Sequence, residues 1–266
     1  MKRGFAFIVL ALLFAAPALA QDWAKAMVDK SPRHQEWVDI KAGNRTVHAF
    51  VVYPEVKSKA TAVLVIHEIF GASDWARSFA DEVAAAGYIA IMPDLLSGMG
   101  PNGGGTSSLG DRSGVTDAIG KLPPDQITSD LNAVADYVTK LPAANGKLVV
   151  AGFCWGGGQT FRFATNRKKL NAAMVFYGVG PDPKAMANIA APVYGFYAGN
   201  DARIGATVPD STAAMKAAGK TYEPVTYEGA GHGFMRAGED PGNTVEANKK
   251  AHDEAWERLK KILAKL

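Results

Sequence analysis

The chain has 266 residues, 29 Lys and Arg against 26 Asp and Glu, a net formal charge of +3 and a single Cys. So even a balance speaks against nucleic acid or an anionic membrane surface as the main partner, and one Cys excludes an internal disulfide. The length suffices for one full core, since α/β domains of ~250 residues need not divide.

Residues 1–20 carry Lys2 and Arg3, then an apolar run from Phe5, and end in Ala18-Leu19-Ala20, the three-part pattern of a cleaved export signal. The apolar run is interrupted at Pro17 and is shorter than the ~20 residues that span a bilayer. A signal peptide is therefore expected here rather than a membrane anchor. Its removal would leave residues 21–266 as a single domain with a formal charge of +1, exported to the periplasm or beyond the cell and free of the membrane. A free thiol in such an oxidising compartment has to be buried or used.

Short apolar runs then alternate with helix-like stretches. Strands are expected over 48–53, 62–66, 89–93, 148–153, 172–177, 194–198 and 221–227, most of them continuously apolar, as in a mostly parallel sheet covered on both faces. Helices are expected over 75–86, 124–141, 159–166, 211–218 and 244–266. The helix at 124 opens with Pro124-Asp125 and places Ile127, Leu131, Val134 and Val138 on one face. This alternation predicts an open α/β sheet. The glycine-rich segment 96–122 has no strong apolar period and reads as a long loop, either functional or mobile. Its Gly100–Gly105 stretch is followed by Thr106 rather than Lys, so it is no phosphate loop.

The lone thiol lies in Gly152-Phe153-Cys154-Trp155-Gly156, between an apolar strand and a helix. This is the G-x-nucleophile-x-G elbow with Cys in place of the usual Ser. The flanking glycines are needed because the strand-to-helix turn leaves no room for a side chain, and the following helix N-terminus favours a thiolate. A nucleophile needs a base and the base an orienting acid, which in α/β hydrolases follow in the chain order nucleophile, acid, His. Asp201 comes just after the strand 194–198, and His232, within Gly229-Ala-Gly231-His232-Gly233, just after the last strand. Of the five His, only His232 lies in a glycine-lined loop at a strand end. His67-Glu68-Ile69-Phe70-Gly71 begins like the zinc motif H-E-x-x-H but lacks the second His, so no metal site is expected there. Its place after the strand 62–66 suggests an oxyanion hole made by the N–H of Ile69 opposite that of Trp155.

The segments HEIFG, PDLLSG, GFCWGG, AGND and GHGFMR resemble the dienelactone hydrolase family of α/β hydrolases, a resemblance that runs over roughly residues 45–265. It implies an α/β-hydrolase fold and a Cys154, Asp201, His232 triad, with Glu68 as the carboxylate that takes the thiol proton when substrate binds. It also implies hydrolysis of the lactone ester of an anionic catabolite, with Arg236 as one arginine for the substrate carboxylate. The family's second such arginine falls in the segment 96–122, where Arg112 is the candidate. The reaction expected is acyl transfer at an ester or lactone carbonyl of a small molecule, without a cofactor. A general carboxylesterase or thioesterase on the same triad, or a ligand-binding module without catalysis, are the alternatives.

Overall fold

The computed structural model describes residues 21–266, so the expected export signal at 1–20 lies outside the described residues. Eight strands, β1 (Gln35–Ala42), β2 (Arg45–Val52), β3 (Ala60–Ile66), β4 (Ile89–Pro93), β5 (Ala144–Phe153), β6 (Ala172–Phe176), β7 (Val193–Ala198) and β8 (Tyr222–Tyr227), form one sheet. Their order is β1-β2-β4-β3-β5-β6-β7-β8. All pairings from β4 through β8 are parallel, whereas β1 and β2 pair antiparallel and β2 runs antiparallel to β4.

Ten helices accompany the sheet among the described residues: α1 (Asp22–Lys30), α2 (Asp74–Ala85), α3 (Arg112–Gly120), α4 (Pro124–Thr139), α5 (Trp155–Asn166), α6 (Pro183–Met186), α7 (Ala202–Gly205), α8 (Val208–Ala217), α9 (Phe234–Glu239) and α10 (Glu246–Leu263). They cover both faces, and the strands feed two cores by alternation. In β3, Ala62, Leu64 and Ile66 join Ile127, Leu131, Val134 and Val138 of α4, while Val63 and Val65 join Trp75, Phe79 and Val83 of α2 and Leu259 of α10. Burying each large side chain of this kind contributes about 1.5–3 kcal/mol of transfer free energy. A strand buried on both sides must be apolar at every position, and β3 is.

Every expected strand and helix is present, with ends displaced by a few residues. Strand β1 escapes the sequence reading because it is an edge strand whose burial alternates and whose Trp37 is exposed. The segment 96–122 is not loop throughout, because it ends in α3, capped by Asp111, whose carboxylate accepts from the N–H groups of Ser113 and Gly114. Its first half is tied down by Thr106. That residue donates through its N–H and Oγ1 to Asp94, each at 2.7 Å, and its Oγ1 accepts from the Ala72 N–H at 3.0 Å. Among the described residues no helix is long and apolar enough to cross a membrane.

Candidate active site

The elbow is built as its sequence demands. Cys154 sits between β5 and α5 at φ 57°, ψ −118°, a strained conformation for a residue with a Cβ, and its N–H donates to the Phe176 carbonyl at 3.0 Å. A Cβ on Gly152 would fall 2.3 Å from the Gly156 carbonyl oxygen, and one on Gly156 would fall 2.3 Å from that of His67. Only glycines allow β5, α5 and the loop after β3 to close this tightly.

Around the sulfur, opposing influences are set against each other. Burial first, then the neighbouring Glu68 carboxylate, push the Cys154 thiol up from its ordinary value. The N–H of Trp155, the Arg203 guanidinium and the N–H of Ile69 pull the other way, without overcoming the first two. The Ile69 and Trp155 backbones belong to two different segments, the loop after β3 and the start of α5.

Asp201 follows β7 and His232 follows β8, at the edge of the sheet where β5 delivers Cys154. His232 Nδ1–H donates to Asp201 Oδ2 at 2.5 Å, and Asp201 is buried. The His232 loop is fixed on both sides: Asn200 N–H donates to the Ala230 carbonyl at 2.8 Å, and Gly231 N–H donates to Asn248 Oδ1 of α10, also at 2.8 Å.

Glu68 is 2% exposed and lies where its charge acts on both Cys154 and His232. Burial pushes its carboxyl up, and the Arg236 partner only partly offsets this. Arg236 Nε–H donates to Glu68 Oε2 at 2.8 Å. Arg236 stands on α9 rather than in a loop, and its partner is Glu68 rather than its neighbours Glu239 or Asp240. His67 Nδ1–H donates to the Glu68 carbonyl at 2.8 Å, its Nε2 accepts from the Leu95 N–H at 3.4 Å, and its ring stacks on Trp155. Burial depresses its pKa and keeps it neutral, so it serves to shape the Glu68-Ile69 loop.

Beside this cluster, bordered by Ile69 and Arg236, opens a cavity of about 1500 Å³ that Phe70, Trp23, Trp37 and Arg112 also line. The Phe70 ring carries two guanidinium groups, with Arg112 Cζ 3.9 Å and Arg236 Cζ 5.3 Å from its centroid. Two further residues were not legible in the sequence. Tyr177 directly follows β6 at φ 39°, is fully buried, and sets its ring edge-on to His232 at 5.1 Å. Arg203 is the second residue of α7, two positions after Asp201, and its charge acts on the sulfur. A positive φ at a tyrosine and a through-space charge leave no mark on a residue pattern.

The sequence model of the dienelactone hydrolase family matches residues 47–266. A Saccharolobus solfataricus protein provisionally named carboxymethylenebutenolidase is 31% identical over 254 residues, covering 83% of this chain and 94% of that protein. A Salmonella typhi protein with the same provisional name is 33% identical over 223 residues, covering 79% and 80%. Among solved structures, one provisionally identified as a dienelactone hydrolase from Klebsiella pneumoniae superposes with a TM-score of 0.76 at 26% identity, over 88% of this chain and 99% of that one.

Proposed function

This chain belongs to the dienelactone hydrolase family, and we propose that it is an exported hydrolase cleaving an ester or lactone of a small, anionic substrate through Cys154, His232 and Asp201. The observation that carries the reading is the convergence on one sulfur of a strained elbow, two backbone N–H groups and a buried charge, beside a His already held on Asp201. On substrate binding the Sγ proton passes to His232, directly or by way of Glu68, and the sulfur attacks the carbonyl carbon. The oxygen that becomes negative lies against the N–H groups of Ile69 and Trp155. His232 then protonates the departing alkoxide, and water, deprotonated by His232, releases the acid and restores the thiol.

Support for an anionic substrate comes from Arg236 and Arg112, both on the cavity and both stacked on Phe70. Arg236 spends its Nε on Glu68, which leaves its two terminal nitrogens for a carboxylate. Arg236→Ala also strips the partner from the buried Glu68, so turnover of every substrate falls. The informative quantity is the ratio of kcat/KM for a carboxylate-bearing ester to that for a neutral one. That ratio is expected to drop about 30-fold, equivalent to ~2 kcal/mol for a desolvated charge pair. Equal losses on both substrates would remove the anionic-substrate reading and leave the triad in place. They would favour the general carboxylesterase or thioesterase.

Export rests on the pattern of residues 1–20. Intact-mass measurement of protein recovered from its own host is expected to give Gln21 as the first residue. Full-length chain in the soluble cytoplasm would refute it. Partial burial of the Cys154 thiol and its suppressed ionisation fit this location, because a protonated, shielded thiol is oxidised slowly.

A further inference from the structure

We propose that Glu82 of α2, Glu239 of α9 and His252 of α10 form a zinc-binding site, separate from the chemistry at Cys154. The three side chains each present a ligand atom, and these atoms lie within 4.8 Å of one another. Modest side-chain rotations would bring them to the roughly 3.4 Å that separates ligands of a tetrahedral ion with bonds of ~2.1 Å. One imidazole and two carboxylates form a donor set suited to zinc, with water completing the fourth position.

The carboxyls of Glu82 and Glu239 face each other where α2 meets α9. Arg33 is committed to Asp81 through Nε–H at 2.9 Å and Nη2–H at 2.5 Å. Asp81 adds further negative charge beside Glu82. Glu239 uses one oxygen to accept from the Trp75 indole N–H at 2.7 Å, and its other oxygen, Oε1, is buried without a hydrogen-bond partner. A buried acceptor left open in this way is what a cation would satisfy. His252 Nδ1–H donates to Asp253 Oδ1 at 3.0 Å, the carboxylate–histidine arrangement that leaves Nε2 with its lone pair available to a metal.

The backbone brings the ligands together by design of packing rather than by chance of a flexible surface. Gly238 precedes Glu239, and a Cβ there would lie 2.4 Å from the Asn248 carbonyl oxygen and 2.6 Å from His252 Cβ. Its absence lets α9 close onto α10 and sets Glu239 beside His252. Zinc would fix α9, which also carries Arg236.

Chelator-stripped protein is titrated with zinc chloride by isothermal calorimetry at pH 7.5. The expected result is one equivalent bound, together with a higher melting temperature. His252→Ala and Glu82→Gln should each weaken binding by about tenfold or more, with the fold checked by circular dichroism. Cys154→Ala should bind zinc as the unsubstituted protein does, which separates this site from the thiol and from the hydrolase reading. The proposal is overturned if the stripped protein takes up no zinc at micromolar concentration. It is equally overturned if Cys154→Ala, and not His252→Ala, abolishes uptake.

Discussion

Replacing Cys154 by Ala is expected to lower ester turnover by about 10⁴-fold or more while leaving the protein folded. The loss is large because the sulfur that would form the acyl intermediate is gone, and what remains is positioning and the backbone N–H groups of Ile69 and Trp155. The fold should survive because Ala bears no more strain than Cys at φ 57°, and the Cys154 N–H bond to Phe176 belongs to the backbone. Circular dichroism and a melting curve check the second half of the claim. Turnover of the variant near the rate of the unsubstituted protein would end the acyl-enzyme mechanism. The same site predicts a pH response. Because burial and Glu68 raise the thiol, the resting protein should be alkylated slowly at pH 7 and faster as pH rises toward the elevated pKa.

Asp201→Asn is the second large effect, a fall in kcat of about 10⁴-fold with KM little changed. The carboxylate now accepts the His232 Nδ1–H at 2.5 Å, which leaves Nε2 free to take a proton. An amide at 201 can donate in its turn, and it would favour the opposite tautomer, with the hydrogen on the nitrogen that has to act as base. Stability is expected to hold, since Asp201 also caps α7 by accepting from the Ile204 N–H at 3.3 Å, and Asn caps as well as Asp. Steady-state kinetics beside a melting curve distinguish the two roles. A loss of stability with kcat retained would make Asp201 a structural residue only.

What the sequence determined by itself is whatever repeats locally. Continuous apolar runs set β3 to β7, because a strand buried on both faces has no polar position to spare. The helical spacing of Ile127, Leu131, Val134 and Val138 set α4. The glycines at 152 and 156 marked the elbow, since a Cβ at either would meet backbone. Asp201 and His232 could be picked out because each follows a strand end, and strand ends of one parallel sheet share an edge. Only the tertiary structure decided the rest, where a residue's meaning depends on a partner far along the chain. Glu68 and Arg236, 168 positions apart, form one ion pair. Arg112 joins Arg236 on Phe70 because α3 condenses from a glycine-rich stretch that its Asp111 cap and the Thr106 contacts hold down. Strand β1 is fixed by pairing with β2, and its own alternating, half-exposed residues carry too weak a pattern to announce it. Glu82, Glu239 and His252 each look like solvated helix residues in sequence. They become neighbours only where α2, α9 and α10 meet, because ionic and coordinative contacts depend on distance in space and leave no period along the chain.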